Sequence, residues 1–129
     1  MSSPRAWRHY PQRYRYEAAV CTKCGKVHFP PRLICDACKG REFTTKTMAR
    51  TGTILTHTVI RTGPKNFADQ TPFAVAVVEM DDGPRLTCQV TDLNPGQLAV
   101  GLKVRLEFRK IYDEGASGII NYGYKAVPV

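Results

Sequence analysis

Two CxxC pairs, Cys21-Thr-Lys-Cys24 and Cys35-Asp-Ala-Cys38, separated by the ten residues Gly25 to Ile34, constrain this chain more than anything else in it. Two residues between cysteines let a tight turn aim both sulfurs at one ion, and two such turns complete a tetrahedral S4 site. Gly25, directly after Cys24, suits a turn whose backbone N–H groups point at sulfur; the second turn is less regular, with Lys39 after Cys38 and glycine only at Gly40. S4 geometry fits zinc or a single iron, the latter giving a redox site. Two disulfides are the metal-free alternative, set against pairs spaced for a metal. A closed S4 site leaves no coordination position for a substrate. Cys21, Cys24, Cys35 and Cys38 are therefore expected to hold a structural zinc, and with it a ribbon of about thirty residues that could not bury a core unaided.

At 129 residues and 43% hydrophobic content, the chain has room for one ordinary domain with an appendage, or for two very small ones. Its net charge of +8 is unevenly placed. Residues 1–50 carry eleven Lys and Arg against Glu17, Asp36 and Glu42, whereas residues 51–129 carry eight against eight. A basic module thus precedes a neutral one. Basic surfaces draw polyanions, among them nucleic acid, a phosphate-bearing cofactor or an acidic protein face. No apolar run approaches the roughly 18 residues of a membrane span, and Met1-Ser-Ser-Pro-Arg5 leads into no signal-peptide core. A soluble, cytoplasmic protein is expected.

Ahead of the cysteines, Ser3-Pro4 reads as a helix start, with serine as cap and proline at the first helical position. Trp7, Tyr10 and Tyr14 recur at helical spacing and are interleaved with Arg5, Arg8, Arg13 and Arg15, although Pro11 should break or kink a helix there. Such a segment can stack on bases, cover a protein surface, or fold back over the ribbon. Val27-His28-Phe29-Pro30-Pro31-Arg32, between the two metal turns, should form the ribbon's tip and pack against a neighbour. The boundaries drawn on this basis are an N-terminal helical arm over 1–20, the ribbon over 21–50, and a β domain over 51–129.

From Gly52 onward the pattern is that of strands. Gly52 to Arg61 is rich in β-branched residues, and Phe73 to Met80 is an almost unbroken apolar run, as for a strand buried on both faces. Asp81-Asp-Gly-Pro84 makes 73–91 a hairpin. Its returning strand puts Leu86, Cys88 and Val90 on one face, opposite Arg85, Thr87, Gln89 and Thr91. Val104, Leu106 and Phe108 alternate likewise with Lys103, Arg105, Glu107 and Arg109, and Ile119 to Ala126 supplies the last strand. Asn94 to Gly101 is too short for a substantial helix. Five strands in about seventy-five residues, with edges needing closure, point to a small barrel of the oligonucleotide/oligosaccharide-binding (OB) type.

The ordered series Cys21-x-x-Cys24-Gly25-Lys26, Phe29-Pro30-Pro31-Arg32, Cys35-x-x-Cys38, Gly52-Thr53-Ile54, Thr58-Val59, Pro72-Phe73 and Val78-Glu79 resembles the domain-of-unknown-function-35 family. Gly101-Leu-Lys-Val104, Phe108-Arg109 and Tyr122-Gly-Tyr-Lys125, with Trp7-Arg8 and Arg13-Tyr14, resemble its archaeal branch. Ala126-Val127-Pro128 departs from the aromatic or basic residue this family usually places before the proline.

That resemblance implies a mainly β protein with a rubredoxin-like zinc ribbon and a C-terminal five-stranded OB-fold. It also implies an auxiliary subunit and not a catalyst. Archaeal relatives join an acetoacetyl-CoA thiolase to a hydroxymethylglutaryl-CoA synthase at the start of the mevalonate route to isoprenoids, around a shared space for CoA. For CoA or acyl-CoA, the candidate contacts are Arg61, Lys65 and Phe67 in the loop after the first barrel strand, and Tyr122, Tyr124 and Lys125 on the last strand. These residues pair cations with aromatics, as a phosphate beside an adenine requires; plugging of the barrel ends by Phe67 and the tyrosines is the bland alternative.

An enzyme reading finds little to work with. His9, His28 and His57 are the available histidines, and Cys88 is the one cysteine outside the metal set. Cys88 shares a face with Leu86 and Val90, as a buried apolar residue would. His57, between threonines on a strand, reads as a satisfied structural histidine, and His28 as a spare ligand. The competing binding-module reading is a nucleic-acid-binding zinc ribbon with an OB-fold, supported by the basic N-terminal half; a rubredoxin-like electron carrier is a third.

Overall fold

The computed structural model describes residues 3–129. Met1 and Ser2, which belong to the leader reading, lie outside the described residues, as does the Ser3 side chain expected to cap the helix. The chain forms helix α1 (Ser3–Arg15) and three short strands, β1 (Glu17–Cys21), β2 (Val27–His28) and β3 (Phe43–Thr47). Five barrel strands follow: β4 (Thr51–Ile60), β5 (Phe73–Met80), β6 (Arg85–Val90), β7 (Lys103–Asp113) and β8 (Ile120–Pro128). The short strands make a sheet in the order β2-β1-β3, and the others close a barrel in the order β4-β5-β6-β8-β7. No helix among the described residues is long and apolar enough to cross a membrane.

Helix α1 runs through Pro11, contrary to the break expected there. An interior proline removes one backbone hydrogen bond and costs about 3 kcal/mol, so contacts outside the helix must hold this one. The Tyr10 hydroxyl donates to the Ile120 carbonyl, and Arg13 Nη1 donates to the Tyr122 carbonyl at 2.9 Å. The Tyr10 ring meets Tyr122 edge-on at 5.7 Å, Tyr14 meets Phe108 at 5.3 Å, and Ala6 is fully buried. The helix therefore covers barrel strands β7 and β8.

Along β5 burial alternates: Ala74, Ala76, Val78 and Met80 face the core, while Phe73, Val75, Val77 and Glu79 are only half-buried. The burial on both faces expected from the apolar run is thus corrected, because a closed barrel has one packed interior and its other face meets loops and solvent. The 73–91 hairpin and the alternation of β6 follow the expected pattern. Closure comes from antiparallel pairing of β4 with β7 through Gly52 and Val104, and from a single parallel pair, Val90 with Ala126, between β6 and β8. Gly52 is needed there, since a Cβ on it would lie 2.7 Å from the Glu79 carbonyl oxygen. Register shifts leave Leu55 in β4 and Ile111 in β7 as bulged residues, which sharpen strand twist and re-aim side chains.

Ribbon and barrel share one core. Tyr16, Ala18, Phe29 and Met48 from the first part pack in the same cluster as Ile54, Val78, Met80 and Leu106. Phe29, on the stretch expected to pack against a neighbour, sets its ring 5.3 Å from that of Tyr124 on β8. The Ala49 N–H also donates to Asp82 Oδ2 at 2.7 Å, tying the hairpin turn to the linker between the two parts.

Candidate metal centre and barrel cleft

The two CxxC turns bring four sulfurs together. Cys21 Sγ lies 3.4 Å from Cys38 Sγ, Cys24 Sγ lies 3.5 Å from Cys35 Sγ, and all four fall within 4.8 Å of one another. A tetrahedron with metal–sulfur bonds of about 2.3 Å has edges of about 3.8 Å, so the cluster fits a four-cysteine zinc site. The two turns are one design used twice: the Gly25 N–H donates to the Cys21 carbonyl at 2.9 Å and the Lys39 N–H to the Cys35 carbonyl at 3.0 Å. Gly25 and Lys39 both adopt left-handed backbone, with φ of 75° and 62°. The second turn is irregular in its residues only. Gly40 has a different task, because a Cβ there would sit 3.3 Å from both Cys21 Sγ and Cys38 Sγ.

Electrostatics prepares this set for a cation. The backbone N–H of Cys24 leads in pulling the Cys21 thiol down to about 6 against its burial. That of Cys38 does the same for Cys35, to about 7, with burial opposing and His28 assisting. Cys24 is pushed up to about 12: the Lys26 N–H favours its thiolate but is outweighed by the Cys35 thiol, burial and the other two sulfurs. Thiolates so close repel one another, and a divalent ion at their centre lets all four lose their protons. His28, read as a spare ligand, is 4% exposed and places Nε2 3.4 Å from Cys35 Sγ. It supports a sulfur already in the set, and its place between the two metal turns is its signal in the sequence.

The six residues proposed for CoA do not all converge. Phe67 and Tyr124 line one cleft of about 520 Å³, together with Ile60, Phe73, Val75 and Ile111. One wall is the 3-10 turn Lys65–Gln70, whose Phe67 ring lies 5.9 Å from Phe73 and 5.7 Å from Tyr112. Gln70 fastens that turn, donating to the Ile111 carbonyl at 2.9 Å and accepting from Lys125 Nζ at 3.2 Å. Burial, and then the Arg109 charge, hold Lys125 below the usual lysine range. Arg61 and Lys65, just before that turn and at its start, are exposed. Tyr122 is not among the residues lining this cleft; its ring stacks on Phe108 at 5.4 Å and meets Tyr10 of helix α1.

Two side chains of the cleft that the sequence did not single out for binding are incompletely paired. Asn121, 4% exposed, leaves Nδ2 without a hydrogen-bond partner, and Gln89 leaves Oε1 without one. Cys88 also lines the cleft and is 8% exposed, as its strand face predicts, with burial raising its thiol to about 11. His57 is exposed on β4 and not the satisfied structural histidine expected. The contact of His28 with Cys35 belongs to the metal site.

Two family models cover most of the chain: the ChsH2 rubredoxin-like zinc ribbon domain matches residues 8–44, and the ChsH2 C-terminal OB-fold domain matches residues 45–109. The chain is 41% identical over 126 residues to a DUF35 domain-containing scaffold protein of Methanothermobacter thermautotrophicus, covering 96% of this chain and 94% of that one. It is 37% identical over 126 residues to a protein of the same description from Methanocaldococcus jannaschii, covering 97% and 89%. Its fold is similar to that of a solved chain described as Ltp2-ChsH2(DUF35) aldolase, with a TM-score of 0.73 at 22% identity over 99% of this chain and 96% of that one. With its four-cysteine ribbon joined through one core to a five-stranded barrel, the chain belongs to the DUF35/ChsH2 family of zinc-ribbon and OB-fold proteins.

Proposed function

We propose that this protein is a non-catalytic scaffold subunit that bridges an acetoacetyl-CoA thiolase and a hydroxymethylglutaryl-CoA synthase in the mevalonate pathway of the cytoplasm, and that it helps hold the CoA thioester passed between them. The observation that carries this reading is the nearly full-length likeness to archaeal proteins described as scaffolds. The sulfur cluster supports it, since a closed S4 site has a structural use and no open position for chemistry. Exposed apolar side chains on separate elements also support it: Trp7 on α1, Leu33 and Ile34 on the ribbon tip, and Val100 on a barrel loop. A bridge needs more than one sticky surface.

In this reading Arg61, Lys65 and Lys125 meet CoA phosphates, while Phe67, Tyr122 and Tyr124 offer aromatic surfaces. The thiolase condensation runs uphill and the synthase step downhill, so holding the thioester between the two sites replaces dilution into solvent by a high effective concentration. Co-expression of the tagged chain with both enzymes, followed by co-purification and light scattering, tests the proposal. A stable particle of three components is expected. Recovery of the chain alone with its metal would end the bridging reading.

A further inference from the structure

We infer that the outer edge of strand β4 over Leu55–Val59 is an interface for a second copy of this chain, joined by antiparallel pairing of the two β4 strands about a two-fold axis at His57.

Strand β4 is enclosed over only half its length. Thr51 to Thr53 pair with β7, and Ile54 donates its N–H to the Leu102 carbonyl at 3.0 Å while accepting from the Gly101 N–H at 2.9 Å. From the bulge at Leu55 onward, β4 pairs with β5 alone, Thr56 with Val77 through Ile60 with Phe73. Among the described residues, no backbone hydrogen bond reaches the other edge of Leu55–Val59. Backbone N–H and C=O groups point to that edge at alternate residues, and an edge left in this state is a template for another strand. On β7, by contrast, Gln70 donates to the Ile111 carbonyl at 2.9 Å and fastens a loop to the strand.

Composition sets this edge apart. The ribbon sheet also ends in an open strand, β3, but that strand carries Lys46, which pairs with Asp82 at 3.6 Å. Lysine on an edge discourages pairing with other chains. Leu55–Ile60 holds no charged residue and no proline, and Thr56, Thr58, Val59 and Ile60 are β-branched, as strands favour. Leu55, Thr56, His57 and Thr58 are exposed, and the exposed Val100 adjoins Gly101 where it bonds Ile54.

The order of the residues selects the occupant. Two-fold association requires a surface that complements itself, residue i meeting j while j meets i. Leu55-Thr56-His57-Thr58-Val59 meets that condition in antiparallel pairing centred on His57. Leu55 then lies opposite Val59 of the second copy, Thr56 opposite Thr58, and His57 opposite His57. Apolar residues meet apolar ones, and threonine pairs are among the favourable cross-strand pairs. A shift of one residue either way would set each threonine opposite valine, leucine or histidine. Charge permits the contact as well: residues 51–129 carry eight basic against eight acidic residues, whereas residues 1–50 carry eleven against three. Two copies therefore meet barrel to barrel without opposing their basic halves. Five paired residues fall short of the roughly 20–30 a side of a standard interface, so the dimer is a reversible one.

Sedimentation velocity of the metal-loaded full chain over a series of concentrations should show a monomer–dimer equilibrium. His57→Asp would oppose two carboxylates at the axis and should weaken dimerisation by about tenfold or more. Thr45→Asp, on the exposed strand β3, should leave it unchanged. Thermal melting of each variant checks that it is folded. The register has its own readout, which holds even if His57→Asp folds poorly. Directly opposed residues in an antiparallel pair have Cα atoms about 4.5–5.5 Å apart, within disulfide reach, so mild oxidation should link His57→Cys much faster than Thr58→Cys, whose two copies lie two residues out of register. A monomer at every concentration would overturn the inference. So would a dimer that a folded His57→Asp leaves intact, or equal rates of linkage for the two cysteine variants.

Discussion

Met48 donates its backbone N–H to the carbonyl of Tyr16 at 2.8 Å, and the two side chains, each 2% exposed, sit where the ribbon's core becomes the barrel's. Tyr16 reaches this position with a left-handed backbone, φ 55°. The bond joins the end of the ribbon's outer strand to the segment that leaves helix α1, so the metal-organised half and the barrel are packed as one unit. Removal of the ion should therefore be felt beyond the ribbon.

In scanning calorimetry, the metal-loaded protein is expected to melt in one transition, and a strong chelator should lower its midpoint by about 10 °C or more. A barrel transition that stays at its original temperature after chelation would show that the shared cluster of Tyr16, Phe29, Met48 and Ile54 does not couple the two parts.

Replacement of His28 by Phe keeps an aromatic ring beside Phe43, now 5.8 Å away edge-on, and removes the nitrogen 3.4 Å from Cys35 Sγ. Groups that hydrogen-bond a metal ligand tune its affinity, and their loss typically weakens it about 10–100-fold. Competition with a chromophoric chelator should show that loss, with far-UV dichroism unchanged when metal is saturating. Equal affinities for the two proteins would reduce His28 to a packing role.

Gly40→Ala should also impair metal retention, by a steric route. The added methyl would sit 3.3 Å from two sulfurs that are themselves 3.4 Å apart. Faster zinc release than from the parent, at unchanged barrel stability in saturating zinc, is the expected result. Gly83→Ala serves as the comparison, since its added Cβ would meet no heavy atom within 4 Å, though its φ of 108° gives it a backbone strain of its own. Identical release from Gly40→Ala and the parent would remove the close approach of Gly40 from the account.

Features set by short-range chemistry were legible in the sequence. The CxxC spacing announced the sulfur cluster, and the alternation of Leu86, Cys88 and Val90 announced an inward strand face. What stayed hidden depends on partners distant in the chain. Pro11 is tolerated because Tyr10 and Arg13 are fastened to strand β8 more than a hundred residues away. Strands β1 and β3 hold together by pairing Glu17 with Thr47 through Cys21 with Phe43, a register that neither Glu17–Cys21 nor Phe43–Thr47 declares alone. In the cleft, Phe67 and Tyr124 could be suspected from their aromatic character. Asn121 could not, because an asparagine on a strand becomes informative only when its amide is seen to be buried and unpaired.

The last prediction concerns pH and rests on Cys88. Burial raises its thiol from an ordinary 9 to about 11 in the folded chain, opposed only by a backbone hydrogen bond at Ala126. Below pH 9 the thiol is protonated whether the chain is folded or not, so its linkage contribution is flat. Between about 9 and 11 the unfolded chain releases this proton while the folded chain keeps it, and stability falls as pH rises. Two pKa units correspond to about 2–3 kcal/mol. Tyr124, raised chiefly by burial and then by the neighbouring Cys88, adds to the same alkaline decline. Cys88→Ala removes a few buried atoms and should lower stability by a roughly constant amount at neutral pH, yet it should flatten the decline above pH 9. Urea denaturation at a series of pH values, with metal saturating, separates the two effects. Parallel stability curves for parent and variant across pH 8–11 would mean that Cys88 ionises in the folded chain as readily as in the unfolded one, and that the cleft admits far more water than its burial implies.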